Sequence, residues 1–247
     1  MFSVTAPPPT APGYGRFVDP DDPAARAGPV EQTEWDGVTS RDRQDPRDVA
    51  VRDRLADAAS EADWTTVLTT LETASHLVNA SRLGSRRGYS PLHQAAWHGA
   101  PRDVVEELLD LGAWRTLRTG LYGQRATDVA AERGHGETAE LLAPSPRHEV
   151  PDDVLDGLSA QLHLLIRGRS AELVVRHALR LPQLGPLTEL TRPRLWFPIP
   201  GQYGGFGIEL TGHELSVTSW NHVVGGWAQR HRVTTDSIHL VEAGMDL

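Results

Sequence analysis

The sequence predicts an α+β fold, in which a short α-solenoid of paired helices precedes a small C-terminal domain with two helices and an antiparallel β-sheet. Two observations lead to this prediction. A pattern anchored by glycines recurs in the middle of the chain, and apolar residues alternate with polar ones after Pro182. We therefore predict a Pro/Gly/Asp-rich flexible arm over residues 1–48, a repeat array over residues 49–146 and a C-terminal α+β domain over residues 147–247.

The composition is typical of a globular protein with an acidic surface. Of 247 residues, 39% are hydrophobic and 23% are charged. No apolar run approaches the roughly 20 residues of a membrane span, and the first residues lack the basic stretch of a secretory signal, so we predict a cytoplasmic protein without membrane contact. The formal charge of −9 disfavours nucleic acid as a partner, because a phosphate backbone needs a basic face.

Two residue types are missing from the chain. It contains no Cys, and all 24 of its Lys and Arg positions are Arg. These absences exclude disulfides, thiolate zinc sites, Schiff-base lysines and the lysine of a phosphate-binding loop. We find no recognisable catalytic motif and predict a non-enzymatic protein without a cofactor or metal. The Arg-only basicity, with many Ala, Gly and Pro residues, favours a bacterial source.

The predicted arm is too polar to bury much apolar surface. It carries three isolated aromatic residues, Tyr14, Phe17 and Trp35. They either dock on the folded body or form a motif for a partner, and the sequence favours docking.

The helical region contains an internal repeat. The stretch Gly88 to Ala96, followed by Gly99, aligns with the stretch that begins at Gly123 and reaches Gly134, with every anchor 35 positions further on. A degenerate earlier copy has the apolar residues Leu55, Ala58, Ala59, Val67, Leu68 and Leu71. Each copy predicts a helix pair that needs a neighbour to bury its apolar stripe.

These residues resemble the ankyrin repeat. Ser90-Pro91-Leu92-His93 stands where the family has Thr-Pro-Leu-His, Gly112-Ala113 follows the second helix as in the family, and Gly134-His135 matches the turn between helices. The resemblance covers about residues 50 to 143, with about three repeats. Arg125-Ala126-Thr127-Asp128 departs from the tetrapeptide, and the first copy lacks it. The resemblance implies a solenoid that binds another protein.

Local chemistry agrees with this interpretation. Ser90 suits the N-cap of a helix, Pro91 suits its first position, and Gly99 suits the tight turn that follows. The prolines Pro144 and Pro146 end the array.

The C-terminal region predicts helices and then strands. A helix opens at Pro151-Asp152-Asp153, and a second one covers Ala171 to Leu181. Strands around Phe206–Leu210 and Leu215–Ser219 flank a hairpin turn at Thr211-Gly212-His213, and further strands cover Arg230–Val233 and Ile238–Glu242. This tail also resembles one that accompanies ankyrin repeats in uncharacterised bacterial proteins, which implies no activity.

The leading functional hypothesis is a protein-interaction module that binds its partner through the concave face and the hairpin fingers. In the repeats that the sequence resembles, contacts come from the fingers and from the first helix of each pair. That rule nominates Arg86, Arg87, Tyr89, Gln94, Trp97, His98, Arg118, Leu121, Tyr122, Gln124 and Arg125. The exposed arginines predict an acidic patch on the partner.

Two alternatives remain open on the sequence. One is a ligand-binding or catalytic C-terminal domain that the repeats bring to its target. Its pocket would be formed by Trp196, Tyr203, His213, Glu214, Trp220, His222, Gln229, Arg230 and His231. Convergence of the histidines would favour an acid–base or metal site. The other alternative is an inhibitor or immunity-type protein.

Overall fold

Seven helices precede a five-stranded sheet in the described part of the chain, which comprises residues 33–202, 204–221 and 227–244 of a computed structural model. The helices are α1 (Pro46–Ser60), α2 (Trp64–Thr73), α3 (Pro91–His98), α4 (Arg102–Asp110), α5 (Ala126–Glu132), α6 (Gly136–Leu141) and α7 (Asp152–Arg176). The strands are β1 (Arg194–Ile199), β2 (Gly204–Thr211), β3 (Glu214–Asn221), β4 (Trp227–Val233) and β5 (Ile238–Gly244). The protein is therefore of the α+β class, as predicted.

Helix α3 forms for the reasons that its sequence predicts. Ser90 and His93 make a reciprocal capping box at its start, Pro91 occupies the first turn, and Gly99 ends it in the left-handed conformation with φ +60°. In α5 the box is made differently, since the Asp128 carboxylate accepts the Arg125 backbone N–H over 2.8 Å. The departure from the tetrapeptide therefore preserves the helix start.

One apolar core holds the helix pairs α1 to α6 together. Its fully buried members include Leu71, Leu92, Leu108 and Leu142, between which small alanines allow the helices to approach closely. Neighbouring helix pairs share this core because one pair cannot bury its apolar stripe alone.

The two helices predicted for the C-terminal region are the two segments of α7, which meet at a kink at Ser170, where the backbone has the non-helical angles φ −140° and ψ 27°. The second segment follows Ser170 directly, as predicted. It ends at Arg176 rather than Leu181, because Ala178 adopts a left-handed φ of +47° and the Leu179 N–H bonds back to the Val174 carbonyl.

The sheet is an antiparallel meander with the strand order β1-β2-β3-β4-β5. Its inner face packs against α7 in a second core that includes Phe197, Phe206 and Ile166. The hairpin at Gly212-His213 is confirmed, whereas β1 was not predicted. Pro198 made this segment look unlike a strand in the sequence, because proline is tolerated in strands mainly at a sheet edge.

A strap that we define as residues 33–39 lies along the edge of β1. The Trp196 N–H donates to the Thr33 carbonyl over 2.8 Å, and the Trp35 N–H donates to the Trp196 carbonyl over 2.7 Å. Trp35 is fully buried between Trp114, stacked at 6.1 Å, and the Arg180 guanidinium, 4.7 Å from its ring. Docking is thus confirmed for Trp35, while Tyr14 and Phe17 lie outside the described residues.

Two side chains that follow α7 hold the loop between α4 and α5. The Gln183 amide bonds both the N–H and the carbonyl of Arg118, over 2.8 and 2.9 Å. The Glu189 carboxylate accepts the backbone N–H groups of Arg115 and Thr116 over 3.1 and 2.8 Å. Residues 33–247 accordingly cluster as one compact unit, and the predicted boundary near residue 146 stays a prediction.

Candidate protein-interaction groove

An open groove of about 280 Å³ lies between α1, α3 and the loop that joins Ala80 to Ser90. The residue types that line it are aromatic, small and basic. Five of the predicted contact residues are among them, namely Arg87, Tyr89, Gln94, Trp97 and His98. The prediction missed Arg52 and Arg82, which also line the groove. Alignment of α1 with α3 as first helices could have identified Arg52.

The aromatic wall of the groove is fixed by contacts between rings. Tyr89 and Trp97 meet edge to face with centroids 6.2 Å apart, and the Arg133 guanidinium lies 4.1 Å from the Trp97 ring. His98 meets Trp64 at 6.2 Å, and its Nε2 lies 3.1 Å from the Ser60 carbonyl. Tyr89 and Trp97 are half-buried, so the wall presents ring surface that is already ordered.

Positive charge dominates the lining of the groove, although the whole chain carries a charge of −9. No Asp or Glu is among the lining residues. Arg52 is held in a two-bond pair by Asp36 at 2.7 and 2.9 Å, and Arg82 pairs with Asp57. Among the described residues, Arg87 has no ion-pair partner, so it is the cation with most freedom to bind a carboxylate.

Partial burial of the Tyr89 ring raises the pKa of its hydroxyl above the usual value. The hydroxyl therefore stays protonated at neutral pH. It can donate a hydrogen bond to an anionic partner beside Arg87.

Two hairpin fingers, which we define as residues 84–90 (the first finger) and 118–125 (the second finger), lie side by side. They are joined where the Gly120 N–H donates to the Arg87 carbonyl over 2.8 Å. Arg86 on the first finger is exposed, and on the second finger Leu121 is 47% and Tyr122 64% exposed. The fingers therefore add exposed apolar surface beyond the groove.

Two predicted contact residues on the second finger already have partners within the chain. Arg125 binds Asp152 through its Nη2 at 2.6 and 2.8 Å, and Arg118 binds the same carboxylate at 3.2 Å. Asp152 opens α7, so these arginines tie the finger to that helix. Gln124 is half-buried, and its backbone carbonyl lies 3.2 Å from the His93 Nε2.

His93 is a buried structural histidine of this region. Its Nδ1 lies 2.8 Å from the Ser90 hydroxyl and accepts the Ser90 N–H, which leaves the proton on Nε2 to be donated to Gln124. Burial lowers the pKa of His93 to about 4. The ring is therefore neutral at physiological pH and cannot attract an acidic partner.

The described members of the predicted C-terminal pocket are divided between the two faces of the sheet and do not converge on one pocket. Strand alternation puts Trp196, Glu214, Trp220 and Arg230 on the outer face, and Gln229 and His231 on the inner face against α7. His213 lies exposed in the β2–β3 turn, while Tyr203 and His222 lie outside the described residues.

The glycines of β2 make room for tryptophan rings. A Cβ atom at Gly207 would lie 2.9 Å from the Trp220 ring, and one at Gly205 would lie 2.9 Å from the Trp196 ring. The two rings then meet over the strand with centroids 5.5 Å apart. This packing accounts for the glycines that β2 carries beside the two tryptophans.

The surroundings of His231, the inner histidine of the sheet, disfavour its charged form. Burial and the charge of Arg169 lower the pKa of His231. In the described ranges, no group of three or more Asp, Glu or His side chains is arranged to hold a metal ion. Glu214 instead pairs with Arg232, and Arg230 pairs with Glu242, each at 3.5 Å.

Comparison with known protein families identifies one segment of the chain. The model for the ankyrin repeat matches residues 87–119, which comprise the end of the first finger, α3, α4 and most of the loop that follows. Such repeats generally act as protein-interaction modules. No curated protein matches the sequence, and no helix of the described part is long and apolar enough to cross a membrane. The chain thus contains an ankyrin repeat, and that repeat supplies α3 and the aromatic wall of the groove.

Proposed function

We propose that this chain is a cytoplasmic protein-interaction module, and that a partner protein binds in the groove and along the two fingers. The groove is the observation that supports this proposal most strongly. It brings together an ordered aromatic wall, a lining without carboxylates and Arg87, which has no ion-pair partner within the described part of the chain.

The partner is proposed to offer an acidic side chain beside an apolar one. The acidic group would meet Arg87 and the hydroxyl of Tyr89, while the apolar one would pack on Trp97. Aromatic residues and arginine are the types that most often dominate binding energy at interfaces. Charge attraction would also speed the encounter at low salt.

Arg118 and Arg125 are proposed to act indirectly. Since both already pair with Asp152, they would hold the second finger in place rather than contact the partner. An inhibitor or immunity-type protein would use the same surface, because the proposal concerns the surface and not the consequence of binding.

The test is capture of partners from the native host by the immobilised full chain. Trp97→Ala combined with Tyr122→Ala is expected to lose the specific partner, with at least a tenfold loss of affinity for a residue worth about 2 kcal/mol. Arg87→Glu is expected to weaken binding most at low salt. Val175→Ala, at an exposed apolar residue of α7, is the matched control. Retention of every partner by the double variant contradicts the proposal.

A further inference from the structure

Strand β5 is an edge strand with an apolar surface. It pairs with β4 on one side, and within the described residues no strand lies on its other side. Leu240 is 57% and Val241 61% exposed at the middle of this strand. Natural edge strands are commonly protected by lysine, proline, a bulge or a covering segment. Residues 238–244 contain no lysine or proline, and a single bulge is the protection that β5 shows.

The apolar surface continues onto the neighbouring helix. Gly157 of α7 faces the β4–β5 hairpin, since a Cβ atom there would lie 3.0 Å from Thr235. Leu164 follows seven residues later, which is two helical turns, so it lies on the same side of α7. It is 58% exposed. Leu240 pairs with His231 and thus lies on the face that α7 covers.

The opposite face of β5 carries charges. His239 pairs with Arg232, and Glu242 pairs with Arg230, so both lie on the outer face of the sheet. A bulge between these positions inserts Val241, which leaves the two apolar residues between the two polar ones.

We propose that β5 pairs antiparallel with β5 of a second copy of this chain, about a twofold axis between Leu240 and Val241. In this register Leu240 lies opposite Val241 of the other copy, and His239 lies opposite Glu242. His239 and Glu242 both lie on the outer face, so the twofold axis produces two equivalent pairs of a histidine with a glutamate. Cross-strand pairs of these kinds stabilise sheets.

Self-complementarity favours a second copy over an unrelated strand. A twofold interface requires that one patch be complementary to itself. When two copies of His239-Leu240-Val241-Glu242 run antiparallel, each histidine lies opposite a glutamate and each leucine lies opposite a valine. Pairing would also give hydrogen-bond partners to the outer backbone groups of β5 on either side of the bulge, and it would cover Leu240 and Val241. The product is a continuous sheet of ten strands, formed by two described sheets of five.

The first test measures the mass of the full chain by sedimentation over a concentration series. We expect a dimer with a dissociation constant of about 10 µM or lower. Leu240→Glu places two like charges at the axis and should yield a monomer, whereas Val175→Glu at another exposed apolar residue should leave the dimer intact. Circular dichroism verifies that each variant is folded. A monomeric wild type, or a dimer unaffected by Leu240→Glu, overturns the proposal.

A second test reports the register directly. Because the chain has no cysteine, single substitutions allow unambiguous crosslinking. A mixture of Leu240→Cys and Val241→Cys chains should form a disulfide-linked dimer on mild oxidation much faster than a mixture of Val175→Cys and Val241→Cys chains. Equal rates in the two mixtures would mean that the strands do not pair in this way, whatever the mass of the wild type.

Discussion

The groove and the sheet are both rich in aromatic residues, but their rings have different neighbours. In the sheet, Trp196 and Trp220 pack over glycines of β2 and fill the space that missing side chains leave. In the groove, Tyr89 and Trp97 contact each other edge to face and leave ring surface beside an unpaired arginine. The difference shows that aromatic density indicates a binding surface only where the neighbours leave the rings uncovered.

The largest expected effect is a difference in stability between two tryptophan variants, one in the core and one in the groove. Trp35→Ala removes a fully buried ring from between Trp114 and Arg180, so we expect a loss of about 4 kcal/mol in the free energy of unfolding. Trp97→Ala should cost only about 1 kcal/mol. Urea unfolding of both variants measures the contrast. Equal losses would remove the distinction between the two kinds of ring.

The second prediction concerns the histidine that the groove region buries. Folding lowers the pKa of His93 from 6.5 to about 4, so the unfolded chain binds more protons between these values. The stabilising contribution is complete above pH 6.5 and is lost as the pH falls towards 4, by about 3 kcal/mol in total.

The check is the stability of wild type minus that of His93→Gln, measured by urea unfolding at several pH values. This difference should shrink as the pH falls through the same window. Other titrating groups cancel in the subtraction. A difference independent of pH would show that the buried ring does not resist protonation.

The third prediction tests the packing role of the sheet glycines. Gly207→Ala would force the Trp220 ring to move, and we expect a loss of about 1 to 3 kcal/mol. Gly168→Ala is the matched control, because nothing lies within 4 Å of a Cβ atom there and alanine favours the helix α7. If Gly207→Ala were as harmless as the control, the glycine would need another explanation.

The smallest expected effect distinguishes the two arginines that pair with Asp152 from Arg87, which looked like them in the sequence. Asp152→Asn weakens the pairs with Arg118 and Arg125 on the surface, so stability should fall by no more than about 1 kcal/mol. Arg87→Glu should leave stability nearly unchanged, yet it should reduce partner capture by more than Asp152→Asn does. The reverse order of the two capture results would place the binding surface on the second finger.

Much of the fold could be predicted because local chemistry and repetition agree. The capping residues of α3, the turn after Gly99 and the hairpin at Gly212-His213 each have a cause within a few residues of sequence. The two helical segments that meet at Ser170 were predicted, whereas strand β1 was missed for the opposite reason, because it is completed by the strap, which lies far away in the sequence.

The candidate site was likewise predictable in part. The aromatic wall follows from the repeat, because the family resemblance fixes which positions face the groove. The pairing of Arg118 and Arg125 with Asp152 was not predictable, since it depends on where α7 begins in space relative to the finger. Local patterns gave candidate residues, and long-range contacts decided which of them remain available.

The bonds from Gln183 and Glu189 to the loop before α5 have a consequence for synthesis of the chain. They join residues 65 and 74 positions apart, so a ribosome must deliver much of the C-terminal region before this loop is held. A nascent chain that has completed its repeats still lacks the bonds that set the second finger. Competence to bind a partner should therefore arise late in translation, which limits premature engagement of unfinished chains.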